Sequence, residues 1–196
     1  TFYAWPKYYA RVFSDLMHYT VGDVTHSSGL HDHFNQWLWM RLLWDPRQPV
    51  EKIVEDYCNT FFGKQAAPYM AEAIFLMETY LQDDPSRLLP EKKEIDRYIL
   101  CCREAGKRMS SRRMKDSWLW RVYLQKGLVD KWVQLAVIEQ NRMQSDVEKI
   151  IRQSLSTGDF DQGIHRAEKR MEKSWKTPEM QALLSEAMNL GEQSNA

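Results

Sequence analysis

From residue 33 onward, apolar side chains recur at every third or fourth position, a period that admits little besides packed helices. The run "FNQWLWMRLLW" is the extreme case. The helix expected from about His33 to Trp44 has almost no polar face, which predicts burial on several sides and a place at the centre of a bundle. Asp32 is positioned to cap it, and "WDPRQP" stops it, because Asp45 precedes a proline and is pushed out of the helical region. Upstream, Pro6 suits a first helical turn, and Tyr8, Tyr9, Val12, Phe13, Leu16 and Met17 form one stripe.

Similar stripes follow. Pro49 opens a helix in which Val50, Ile53, Val54, Tyr57, Cys58 and Phe61 share a face, and Gly63 is placed to end it. In "QAAPYMAEAIFLMETYL" the inward positions are Tyr69, Met70, Ala73, Ile74, Met77, Tyr80 and Leu81. "DDPSRLLP" reads as a linker near 82–90. Ile95, Tyr98, Ile99, Cys102 and Met109 mark another helix, and Leu119 to Val137 a long one that Gly127 is expected to break. "SDVE" at 145–148 has the spacing of a capping box opening a further helix, which "STGD" ends. Two more fit Ile164–Trp175 and Pro178–Leu190, and no repeat of fixed period suggests a solenoid. The expected fold is mainly α, a bundle of about six to eight helices with one short extended segment near the N-terminus.

That segment is "YTVGDVTHSSG", residues 19–29, where β-branched residues alternate before a Ser-Ser-Gly turn. Four of the five histidines lie before Asp45 (His18, His26, His31, His33), so the chemistry of the chain concentrates here. His31 and His33 would ligate one ion together from a strand, but at a helix start they diverge, and only His165 remains elsewhere as imidazole. No metal site is therefore assigned. Asp23 and Asp32 are the carboxylate pair that glycoside hydrolysis would need, but a helix cap explains Asp32 and a turn Asp23, and that is the preferred reading. A sugar pocket would use Asp23, His26, His31 and His33 for hydroxyl groups and the ring of Trp39 for an apolar sugar face. The other tryptophans and methionines (Trp37, Met40, Trp44, Trp118, Trp120, Trp132) sit at core spacing. The basic cluster "KRMSSRRMK" at 107–115 reads as a solvated helix end.

Composition excludes several classes. Lys+Arg and Asp+Glu balance at 27 each, so no net field recruits nucleic acid or an anionic membrane. There is no long uncharged apolar run, no signal peptide, no Gly-rich phosphate loop and no nucleophile–histidine signature, so no cofactor is expected. Residue 1 is not methionine, which suggests a processed or excised piece. Cys58, Cys101 and Cys102 form no framework and are expected as buried thiols. Residues 1–62 hold 14 of the 24 aromatics, so the front of the chain supplies the densest contact surface.

The "LLWDP" stop (Leu42 to Pro46), the acidic helix ending in "FFG" (Phe61 to Gly63) and the "AAPYM" helix start (Ala66 to Met70) together carry a resemblance. Over about residues 5–82 the chain resembles the domain-of-unknown-function 4838 family, the C-terminal helical region of Bacteroidetes-type glycoside-hydrolase-like proteins. The resemblance implies a (β/α)8 barrel followed by a helical domain in a periplasmic, surface-attached or secreted protein. Residues 1–33 would then be the barrel's last β/α unit and its loop, with "THSSGLHDH" at the carboxyl end of a strand, and residues 34–196 the helical bundle. It implies carbohydrate as ligand and an upstream barrel domain of the same protein as partner. The family's catalytic pair would lie upstream of residue 1, so the segment alone is not catalytically complete. The alternative expectation is a non-enzymatic helical interaction module.

Overall fold

The computed structural model describes residues 2–23, 32–81, 93–172 and 176–192. Among them the chain forms helices α1 (Pro6–Leu16), α2 (His33–Trp44), α3 (Val50–Phe62), α4 (Ala67–Leu81), α5 (Glu94–Arg108), α6 (Ser111–Asp116), α7 (Trp118–Thr157), α8 (Phe160–Glu172) and α9 (Pro178–Glu192). No described residue lies in a strand. The extended segment expected after Tyr19 is absent where it can be seen. Residues 17–19 turn and 20–23 run irregularly, because β-branched alternation states a local preference and no neighbouring strand is there to pair with. The rest of that segment, and the linker near 82–90, lie outside the described residues.

The centre of the bundle is α4, not α2. Ala67, Met70, Ala73, Ile74, Met77 and Tyr80 are all buried, and α4 packs against α1, α3 and α5. Helix α2 lies at the edge between α1 and α3. Its buried side is Phe34, Asn35, Leu38 and Leu42, while Met40, Leu43 and Trp44 are exposed, Trp44 at 92%. An apolar circumference shows that a helix has no required solvent face; it does not say how many neighbours this chain provides. Trp37 and Trp39 are half-buried on its flanks.

Two buried polar residues fasten α1 and the segment before it. Asn35 accepts from Trp5 N (3.0 Å) through Oδ1 and donates to Tyr3 O (3.1 Å) through Nδ2, as a neighbouring strand would. Glu78, only 2% exposed, accepts from Lys7 N (3.1 Å) and Tyr8 N (2.7 Å) with its two carboxylate oxygens. Those amides belong to the first turn of α1, so the carboxylate meets both orphan donors and the positive end of the helix dipole. Phe2, Ala4 and Phe13 thereby join one buried cluster with the helices beyond residue 33.

Helix α7 runs unbroken for 40 residues. Ser117 caps it, accepting from Trp120 N at 3.2 Å, and Gly158 ends it in the left-handed region at φ 73°. The break expected at Gly127 and the helix start expected at "SDVE" are both overturned. Gly127 is buried against α5, and Ser145 and Glu148 lie within the helix, where their three-residue separation is simply one turn. Gly63 does terminate α3, at φ 89°. Helices α8 and α9 pack back along α7. Gly163 of α8 lets the two helices meet, since a Cβ there would stand 2.0 Å from Ser154 Oγ.

Candidate functional site

The structure brings together two of the five residues that the sequence singles out. Asp23 follows the turn at the end of α1, and Trp39 projects from the α1 side of α2. Trp39 Nε1 donates to Asp23 Oδ2 at 2.7 Å. Trp39 is held by edge contacts with Phe13 (centroids 5.1 Å apart) and Tyr9 (6.4 Å). Both residues line a cleft of about 490 Å³ whose walls include Leu16, Thr20, Val21 and Leu43. A carboxylate fixed on an indole, with a hydroxyl and apolar walls beside it, can hydrogen-bond a hydroxylated ligand and cover its apolar face. Three of its apolar wall residues, Leu16, Val21 and Leu43, are exposed.

His33 belongs to a different place. It starts α2 about a third of a turn away from Trp39's direction and faces α3 and the start of α7. Its Nδ1 lies 2.9 Å from Tyr57 Oη, and its ring meets Phe61 at 5.0 Å and Trp118 at 5.8 Å between centroids. Removal from water holds its pKa below the ordinary 6.5, against a smaller opposing pull from Asp32. The sign is direct. The unfolded chain takes up the proton more readily, so this histidine lowers stability as pH falls through 6.5. His33→Gln is expected to flatten the stability profile between about pH 5 and 7, measured by urea unfolding at stepped pH. An unchanged slope would show that His33 is not the group responsible.

Asp32 occupies the cap position of α2 without a side-chain cap bond, which removes the reason the sequence offered for it. His26 and His31 lie outside the described residues. Among those described, no group of three or more histidine, cysteine, aspartate or glutamate side chains is placed to hold a metal ion, and no helix is long and apolar enough to cross a membrane. The three cysteines are buried free thiols, as their spacing suggests. Burial pushes Cys101 up to about 11 and Cys58 and Cys102 higher still, so none is poised as a nucleophile.

Sequence reasoning passed over a buried ion pair. Asp130 of α7 is held by Lys126 one turn earlier and accepts from Tyr80 Oη of α4 at 2.9 Å. Its only signal was an acid on the inward side of an apolar stripe.

No curated protein and no solved structure matches the chain. The three motifs noted above, "LLWDP", "FFG" and "AAPYM", all fall within a single match to a known family. Over residues 7–74 the chain matches the family model of a domain of unknown function, DUF4838.

Proposed function

We propose that this chain is the C-terminal helical domain of a carbohydrate-active, glycoside-hydrolase-like protein, flanking a catalytic barrel and lending one wall to its cleft. The observation that carries this reading is the Asp23–Trp39 pair in its cleft, with the exposed apolar side chains of Leu16, Val21 and Leu43 in its walls. The pair offers the acceptor and aromatic surface that sugar recognition uses. Exposed apolar walls are the kind of surface that another domain covers. In this reading that neighbour is an upstream barrel of the same protein, and the catalytic carboxylates belong to it. The matched family adds the resemblance and no activity of its own.

The test uses the intact parent protein. Trp39→Ala and Asp23→Asn are expected to weaken binding of its oligosaccharide ligand about tenfold each, the loss of one charge-assisted hydrogen bond or one stacking surface. Isothermal titration against a panel of oligosaccharides reads it. Unchanged affinity and turnover in both variants would remove the pocket. The same exposed apolar surface also suits a helical interaction module without enzymatic partners. The residues upstream of Thr1 in the gene product separate the two readings, since a full barrel requires about 250 residues of alternating strand and helix.

A further inference from the structure

A second cleft, which shares no lining residue with that of Asp23 and Trp39, has its own chemistry. It holds about 440 Å³ between the end of α3, α6 and the start of α7, and is lined by Phe61, Ser110, Arg112, Arg113, Asp116 and Trp118 among others. The rings of Phe61 and Trp118 stand against His33, which fixes them as walls. We propose that this cleft binds an oxyanion carried on a hydroxylated ring, with the two guanidinium groups on the anion and the aromatic walls along the ring's apolar face. The proposal goes beyond the Asp23–Trp39 reading and rests on none of its residues.

Four observations converge. Arg113 is held in place: its Nη1 donates to Thr60 O at 2.9 Å, and its guanidinium lies across Gly63, about 3.6 Å from where a Cβ would be. One nitrogen is thereby committed, and the planar head still presents donors to the cleft. Arg112 makes no hydrogen bond or ion pair among the described residues, whereas the neighbouring Lys107 and Arg108 are both tied to Glu104. Of the five cations in the cluster, Lys107 and Arg108 thus share one carboxylate, while Arg112 and Arg113 line the cleft. Ser110 and Ser117 spend their oxygens accepting from Arg113 N and Trp120 N, which leaves their hydroxyl hydrogens to donate. Asp116 is the one carboxylate among the lining residues, suited to ligand hydroxyls, and two arginines outweigh it in charge. Donors in excess, a single carboxylate and two rings describe a sugar acid or a sugar phosphate more closely than a bare inorganic ion.

The experiment titrates the full chain with glucuronate, glucose 6-phosphate, inorganic sulfate and glucose, read by chemical shifts of indole N–H groups and by calorimetry. At least one sugar anion is expected to bind saturably, more tightly than sulfate and than glucose, with the Trp118 indole among the shifted signals. Arg112→Gln and Arg113→Gln are each expected to weaken it about tenfold or more. Arg113 also joins α6 to α3, so Arg112→Gln, whose side chain supports nothing, decides if the other variant unfolds. The two sugar anions distinguish a carboxylate from a phosphate source. Four results would overturn the proposal: no saturable binding of either sugar anion, glucose binding equally well, sulfate matching the sugar anions, or an Arg112→Gln variant with unaltered affinity. Arg166→Gln, which removes an exposed arginine from α8 and touches neither cleft, serves as the charge-matched control and leaves this binding unchanged.

Discussion

Asp130→Ala is expected to lower the free energy of unfolding by about 3–5 kcal/mol, the cost of stranding a buried charge. The carboxylate is 6% exposed, and the side chains of Lys126 and Asp130 retain only 10% and 8% of their surface. Removing it leaves an ammonium and the Tyr80 hydroxyl without their shared acceptor inside the α4–α7 contact. The pair itself need not stabilise. Burial pushes the Asp130 carboxyl above its ordinary 3.8, and Lys126 offsets only part of that. Folding therefore binds a proton in the window above 3.8. Stability falls as pH rises from there through the folded pKa, and is level beyond it. Replacing both partners together, Lys126→Met with Asp130→Leu, is expected to recover most of the loss. Asp130→Asn should erase the acidic-range slope while keeping an acceptor for Tyr80. Urea unfolding of the four proteins reads all of this. A double variant as unstable as Asp130→Ala would show that the loss is packing and not an uncompensated charge.

What the sequence displayed was what a helix does with its own stripe. Ile53, Val54, Tyr57 and Cys58 of α3, or Met70, Ala73, Ile74 and Met77 of α4, lie inward because their spacing leaves them no other common side. What it hid was the number of neighbours each helix receives. Helix α2 spreads its apolar residues most evenly around its circumference and still leaves Met40 and Trp44 in solvent, while α4, which carries Glu72 and Glu78, holds the centre. Glu78 is the sharper lesson. Its partners are backbone amides 70 and 71 residues away, and no local pattern announces a contact of that kind. The candidate site was legible to the same degree. Asp23 and Trp39, 16 residues apart, meet through the indole N–H and the carboxylate. His33 diverges from them because helical rotation separates positions 33 and 39 by about 120°. Proximity in the sequence placed all three in one pocket; the helix put them in two.

Gly127→Ala is expected to destabilise by about 2–3 kcal/mol, although helix propensity alone favours alanine by about 1 kcal/mol. Helices α5 and α7 are joined by two reciprocal insertions. Tyr98 of α5 lies over Gly127 and donates its hydroxyl to Tyr123 O at 2.7 Å; Trp120 of α7 lies over Gly106 and donates Nε1 to Cys102 O at 2.8 Å. A Cβ at 127 would stand 2.5 Å from Tyr98 Cε1, 2.6 Å from Cδ1 and 3.0 Å from Ile99 Cγ1. Tyr98 cannot give way. It is fully buried, anchored at its hydroxyl and set edge-on to Tyr80 with centroids 5.7 Å apart, so any shift passes to the Tyr80–Asp130 contact. The helices must part instead, and both carbonyl bonds loosen with them. Gly106→Ala meets Trp120 Cζ2 at 2.6 Å and Cε2 at 2.9 Å, but that ring is only half-buried and the one other close atom is the flexible end of Met114, so a smaller loss is expected. Gly191→Ala supplies the opposite sign. Its Cβ would meet only the Gln125 amide at 3.0 Å, the far end of a flexible side chain that needs to shift by a few tenths of an ångström while keeping its bond to Ala187 O, so the gain in helix propensity should show as equal or higher stability. Thermal and urea unfolding of the three variants give the order. A Gly127→Ala protein as stable as the parent would mean that α5 and α7 do not approach each other this closely, and the reciprocal insertion would fall with it.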